Sequence, residues 1–206
     1  SDMITIVADY FPHASLIISA MKDFGTDATR GYEIALSKII SSGVICRPEI
    51  TEFSNWCPMK YPWHVLTCMQ QFFPTKHEQH IHPSVEMKKN VVIEGAVIIE
   101  EGVKIFEGTK IVGPVYIGKN TIIGNNNIIR CSHIGAFVVT GFSTDITRSY
   151  IGDNCWFHTN YIGDSVIGNN VSIGSGSVCA NLRLDDEEIS SAVKEEKIKT
   201  GKNKLG

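Results

Sequence analysis

The sequence has no apolar run approaching the length of a membrane-spanning helix, and no signal-peptide pattern opens it. Both absences point to a cytoplasmic protein with no membrane partner. It also lacks a basic excess. Lys and Arg number 19 against 22 Asp and Glu, a net charge of -3, so no polybasic surface argues for a nucleic-acid partner. No CxxC pair occurs among the six cysteines, Cys46, Cys57, Cys68, Cys131, Cys155 and Cys179. Dispersed cysteines of this kind are expected to be buried free thiols in a reducing compartment, in preference to a disulfide framework or a zinc site.

What remains is an ordinary globular balance, 43% hydrophobic and 20% charged over 206 residues. That length allows one large domain, or one domain with a smaller partner.

The chain's strongest signal is an internal repeat. Ile81, Met87, Ile93, Ile99, Ile105, Ile111, Ile117, Ile123 and Ile129 recur every sixth residue without a slip. Four residues after most of them comes a second small or β-branched residue: Val85, Val91, Val97, Val103, Thr109, Val115 and Thr121. A helix repeats at 3.6 residues and a simple strand at 2, so neither accounts for a period of six. A flat side, one short strand followed by a corner, does. Three such sides close a triangular turn of about 18 residues, and successive turns stack their strands in parallel at roughly 4.8 Å. Each side would point its Ile inward, where β-branched side chains suit a pleated wall. Gly95, Gly113, Gly118, Gly124, Asn125 and Asn126 supply tight corners.

The register slips at Ile134. Residues 136–150, AFVVTGFSTDITRSY, show no hexad, so a loop or irregular coil is expected to leave the column there. The pattern resumes at Ile151-Gly152-Asp153, Ile162-Gly163-Asp164, Ile167-Gly168-Asn169 and Ile173-Gly174-Ser175. Interruptions in a solenoid are where function tends to sit, because regular coils need only stack.

The flanks read differently. Thr26 or Asp27 can cap a helix through Ile40, with Gly43 just past its end. Val44 to Ile50 reads as an edge strand, given Pro48. Pro62 can start a second helix, PWHVLTCMQQFF, that stops before Pro74. Residues 1–74 are expected to form a small α/β cap packed on the first coil, 75–80 a linker, 81–181 the β-helix and 182–206 a polar tail. That tail is Lys/Glu-rich; it would either cover the open strand edges at the end of the coil or mark a cut before further coils.

Two segments carry a family resemblance. Residues 150–181, YIGDNCWFHTNYIGDSVIGNNVSIGSGSVCAN, resemble the acetyltransferase domain of the bifunctional glucosamine-1-phosphate acetyltransferase / N-acetylglucosamine-1-phosphate uridylyltransferase family, closest to archaeal-type sugar-1-phosphate nucleotidylyltransferases that carry it. Residues 31–73, especially GYEIALSKIISSG and YPWHVL, resemble the end of the nucleotidyltransferase domain in those enzymes. The fold class so implied is mainly β, a left-handed parallel β-helix of hexapeptide repeats with a small N-terminal α/β cap. Two parts of the family pattern are missing: the glycine-rich nucleotide loop with its metal-binding carboxylates, and the final coils that follow a segment like TGKNKLG. The chain therefore resembles an internal piece or a truncated relative, for which uridylyl transfer alone is not expected.

The resemblance implies a set of site residues. His158, in WFHTNYIGD, falls on the family's general base. An ammonium cannot attack a thioester, and an imidazole titrating near neutral pH can accept its proton. Asn181 falls on an asparagine at the acetyl-CoA thioester, where an amide can donate to the developing oxyanion or orient the amine. Tyr161 matches a sugar-binding tyrosine. Arg130 resembles an arginine that pairs with the sugar phosphate, and Ser175 falls where a small residue approaches acetyl-CoA. The family's second phosphate-binding cation is a lysine; Arg148 is the nearest candidate here, and Ser172 replaces a sugar-binding asparagine. Glucosamine-1-phosphate itself is thereby put in question.

Acetyl-CoA is the implied co-substrate, no metal is expected, and a homotrimer with its sites between subunits is implied. The partners are a sugar phosphate or nucleotide sugar. A second reading makes the coil a non-catalytic trimerisation or regulatory module of a sugar-phosphate nucleotidyltransferase. His77, His80 and His82 form an HxxHxH read as solvated linker. His133 and His158 are too few for the three zinc histidines of a β-helix carbonic anhydrase. The Asn170-Val171-Ser172 sequon lies inside the repeat and is read as incidental.

Overall fold

The computed structural model describes residues 9–22, 31–50, 56–73 and 78–206. Two compact units divide the chain, Ser1–Trp56 and Cys57–Gly206.

In the first unit, helices α1 (Ala14–Met21) and α2 (Gly31–Ser41) pack on each other, and α2 buries Ala35 and Ile39, one helical turn apart. Thr26 and Asp27, the candidate caps of α2, lie outside the described residues. Val44–Ile50 is not a strand. It is an exposed segment outside any helix or strand, with no ladder partner among the described residues, and Pro48 removes one of the donors a ladder would need.

The second unit is a parallel β-helix. Eighteen short strands run in chain order from β1 (Gln79–Ile81) to β18 (Val178–Cys179) and deal themselves in rotation onto three six-stranded parallel sheets. One sheet takes β1, β4, β7, β10, β13 and β16. A second takes β2, β5, β8, β11, β14 and β17, and the third takes the remaining six. Each turn of the coil therefore contributes one strand to each sheet. The inward column is the one the hexad marks, with Ile99, Ile105, Ile111, Ile117, Ile123 and Ile129 essentially inaccessible. Burying each such side chain is worth about 1.5–3 kcal/mol relative to exposure.

Residues 136–150 do not leave the column. β11 (Val139–Thr140), β12 (Asp145–Thr147) and β13 (Tyr150–Ile151) pair in register with the strands above and below. The hexad is masked for two reasons. The side from Ile129 to Ile134 is a residue short, and Thr140 takes an inward position that other turns give to Ile. The Thr140 hydroxyl accepts from the Gly124 backbone N–H at 3.0 Å, so it is satisfied inside the coil. The position stacked next to Thr140 holds Phe157, fully buried, so a small side chain is followed by a large one.

Corner hydroxyls and amides tie turn to turn. Thr109 Oγ1 donates to the Gly124 carbonyl at 2.8 Å, and Thr121 Oγ1 to Gly135 at 2.8 Å. At one corner Gly141 admits no side chain: a Cβ there would lie 2.7 Å from His158 Cα.

Helix α3 (His64–Phe72) forms where Pro62 predicts it and buries Leu66 and Met69. It contacts β13, in the fifth turn. A disulfide joins Cys57 to Cys68, their Cα atoms 5.7 Å apart. The expectation of free thiols therefore fails for this pair, because α3 carries Cys68 back beside Cys57. Cys46, Cys131, Cys155 and Cys179 are free, and Cys46 is exposed. Residues 182–206 form an antiparallel hairpin, β19 (Ser190–Val193) with β20 (Glu196–Lys199). The chain then returns to the coil, where the Leu205 N–H donates to the Asn181 carbonyl and Gly206 N–H to that of Asp164. Val178, on the last strand, stays 65% exposed. Among the described residues no helix is long and apolar enough to cross a membrane.

Candidate active site

The coil places the site residues at two corners. His158 and Ser175 share the corner that follows the second sheet, in the fifth and sixth turns. His158 follows β14 (Trp156–Phe157), and Ser175 follows β17 (Ser172–Ile173). Asn160 holds this corner. Its Oδ1 accepts from the His158 backbone N–H at 2.8 Å, and its Nδ2 donates to the Gly174 and Ser177 carbonyls at 2.8 and 3.1 Å. Asn160 is buried and reads in the sequence as one more corner asparagine. The His158 imidazole is exposed, and no hydrogen bond to it occurs among the described residues.

Arg148, Tyr161 and Asn181 come together at the next corner, around a residue the motif reading passed over. Asp164 accepts from Arg148 Nε at 2.6 Å and from Arg148 Nη2 at 2.7 Å, a two-pronged pair. Its Oδ2 also accepts from Asn181 Nδ2 at 2.5 Å, and that same Nδ2 donates to Tyr161 Oη at 3.2 Å. The Asp164 side chain is only 10% exposed, so the pair is partly shielded from solvent screening. The bond to Asp164 leads the causes that raise the Arg148 pKa above its ordinary value, outweighing the opposing effect of burial. Arg148 and Asp164 both adopt left-handed backbone, φ 49° and 51°, at a corner where Gly95 serves in the first turn. Gly163 leaves the room: a Cβ there would meet Tyr161 Oη at 2.5 Å and Asn181 Nδ2 at 2.7 Å.

Arg130 is paired as well. Its Nη2 donates to both oxygens of Asp145, at 3.0 and 2.9 Å, while its buried Nε has no partner. Asp145 and Tyr161 are register neighbours on the third sheet, so this pair adjoins the Asp164 cluster. Asp164 is the residue stacked one turn on from Arg148, whereas Asp145 lies in the turn after Arg130 but two residues before Thr147, the residue stacked on that arginine. Counting one turn forward from Arg148 is the sequence signal that would have found Asp164; the same count from Arg130 reaches Thr147 and misses Asp145.

A third group lies on the outer face of the first sheet. The rings of Tyr116, His133 and Tyr150 stack, with centroids 4.8 and 4.5 Å apart. Burial lowers the His133 pKa, against the opposing pull of the Ile151 carbonyl and Asp153.

Of the linker histidines, His80 faces Glu78 at 3.5 Å and His82 faces Ser84 at 2.8 Å; His77 lies outside the described residues. Among the described residues no group of three or more His, Cys, Asp or Glu is placed to hold a metal ion.

No protein-family model matches the chain. The bifunctional protein GlmU of Methanococcus maripaludis (strain S2) is 38% identical over 177 residues, which is 84% of this chain and 41% of that protein. A bifunctional sugar-1-phosphate nucleotidylyltransferase/acetyltransferase of Sulfurisphaera tokodaii is 40% identical over 67 residues, 32% of this chain and 17% of that one. The chain is a homologue of these bifunctional proteins along part of their length. It spans about two fifths of the GlmU relative, by the 41% aligned. Among solved structures it is similar to the acetyltransferase domain of PglB from Neisseria gonorrhoeae in complex with acetyl coenzyme A. That likeness has TM-score 0.44 at 15% identity, over 56% of this chain and 59% of that chain. A mutant perosamine N-acetyltransferase from Caulobacter crescentus, in complex with CoA and GDP-perosamine, gives TM-score 0.40 at 18% identity, over 51% and 52%.

Proposed function

We propose that the coil carries an acyl-CoA-dependent N-acetyltransferase acting on an amino-sugar phosphate in sugar-nucleotide synthesis. The observation that supports this best is the gathering of Arg148, Tyr161 and Asn181 around Asp164, in the turns adjoining His158. The names of the aligned relatives point the same way.

In this reading the exposed His158 imidazole removes a proton from the substrate ammonium, and the freed amine attacks the thioester carbonyl carbon. The resulting tetrahedral centre collapses by breaking its carbon–sulfur bond. The proton held by the imidazolium passes to the departing thiolate, and the surplus proton on the nitrogen is lost to solvent, leaving an acetamide and free CoA. Tyr161 and Arg130 face the sugar and its phosphate, Asn181 meets the reacting centre, and Ser175 adjoins the acetyl-CoA.

His158 and Asn181 stand at different corners of the same triangular coil. One chain then offers two half-sites, which supports a homotrimer in which the His158 corner of one copy faces the Asn181 corner of the next.

A specific observation favours the second reading, a trimerising or regulatory coil without chemistry. Arg130 and Arg148 are each already neutralised by a carboxylate, so a phosphate has to compete for them. The experiment is thiol release from acetyl-CoA in the presence of glucosamine-1-phosphate and other amino-sugar phosphates, for the wild type and for His158→Ala. Loss of about a hundredfold or more in the variant supports acetyl transfer. Equal rates for the two, or no release by the wild type with any amine, leave the structural reading standing.

A further inference from the structure

A side-chain amide has two N–H donors on one end and a carbonyl acceptor on the other. In Asn181 the donor end is engaged by Asp164 and by Tyr161. A carboxylate only accepts, so the amide cannot be reversed without setting oxygen against oxygen at 2.5 Å. The carbonyl end, Oδ1, has no hydrogen bond among the described residues. Asp164 is in turn fixed by two parallel bonds from Arg148, at 2.6 and 2.7 Å. Its side chain is 10% exposed while that of Arg148 is 42% exposed, so the carboxylate lies inside the corner and the guanidinium covers it.

We propose that Asp164 is a positioning residue of this site, one that fixes the direction of the Asn181 amide so that its Oδ1 faces outward as an acceptor. The role of Asn181 follows from that, given acetyl transfer as read above. An outward carbonyl oxygen accepts an N–H from the substrate amine and aims its lone pair. It cannot donate to the oxyanion, because no free N–H is left. Arg148 then serves the site through Asp164, by holding the carboxylate, and not as a phosphate ligand. Gly163 belongs to the same device, since any side chain there would push the Tyr161 hydroxyl and the Asn181 amide apart.

The test is Asp164→Asn in the full chain. Asparagine tolerates the left-handed backbone of this position, φ 51°, so the corner keeps its shape. Two nuclear magnetic resonance signals report the positioning directly, the Arg148 Nε–H and the Asn181 side-chain NH2 pair. In the wild type both should be persistent at neutral pH. In the variant the Arg148 Nε–H should exchange about tenfold faster, and the Asn181 pair should move to the position of a free amide. If both signals are the same in the two proteins, the proposal is overturned, whatever the activity. If the wild type transfers no acetyl group but the signals change as stated, the positioning stands and the acetyltransferase reading fails. If the wild type is active, the variant should lose about tenfold in kcat with the KM for acetyl-CoA within about twofold; an unchanged kcat overturns the proposal. Arg148→Gln provides a second route where Asp164→Asn does not fold. It keeps the carboxylate but loosens it, so the Asn181 signal should move part of the way, and no movement at all overturns the proposal.

Discussion

At the scale of single residues, the geometry of the candidate site depends on partners in adjacent turns of the coil. The arginines and the asparagine were legible in the sequence through their resemblance to a family; the aspartates were not. Asp164 sits in an Ile-Gly-Asp triplet that also occurs at residues 151–153, where Asp153 merely ties the corner by accepting from the Ala136 N–H at 2.7 Å. The same tripeptide does two different jobs, and the residue stacked one turn back, Ala136 in one case and Arg148 in the other, tells them apart. Gly163→Ala tests the crowding argument. The coil should melt within a few degrees of the wild type, because the displaced atoms are side-chain ends, while substrate turnover falls; a full loss of folding would contradict this. His133 offers a pH test. Its folded pKa lies below the ordinary value of 6.5, so the unfolded chain binds more protons as the pH falls through that value. Stability should be complete above about pH 6.5 and decline below it. His133→Phe, which keeps a ring between Tyr116 and Tyr150, should flatten that decline in a pH series of chemical denaturation curves.

At the scale of elements, the hexad from Ile81 to Ile129 was readable because every inward position is aliphatic and every side has the same length. It stopped being readable where sides shorten to five residues and Thr140 and Phe157 replace isoleucine, although the strands continue. Hydrophobic periodicity cannot follow a column whose spacing changes while its backbone pairing does not. The Thr140–Phe157 step should be among the most sensitive parts of the core. Phe157→Ala removes a fully buried ring and should cost about 3–5 kcal/mol, read as a lower denaturation midpoint at unchanged slope. Thr140→Val keeps the volume but strands the Gly124 N–H, and should cost about 1–3 kcal/mol. Outside the coil, Pro62 and the stop before Pro74 foretold α3, whereas the strand expected over Val44 to Ile50 did not form.

At the scale of the whole molecule, a triangular coil separates what a transferase must bring together. His158, the proposed base, stands at one corner and the Asp164 cluster at another, so the account requires a second copy to close the site. Sedimentation at micromolar concentration should give a trimer, and a monomer throughout that range would contradict the shared-site arrangement. The resemblance of residues 150–181 is the ground for expecting roles for His158, Tyr161, Ser175 and Asn181. It did not foretell that the two arginines would be neutralised within the chain, because those pairs depend on stacking between turns and not on the motif itself. The most direct measurement of the central claim is mass-spectrometric detection of the N-acetylated sugar phosphate formed from acetyl-CoA and an amino-sugar phosphate. The account predicts that product from the wild type and its loss with His158→Ala. Product formed equally by both proteins, or by neither across the amino-sugar phosphates tried, would contradict it.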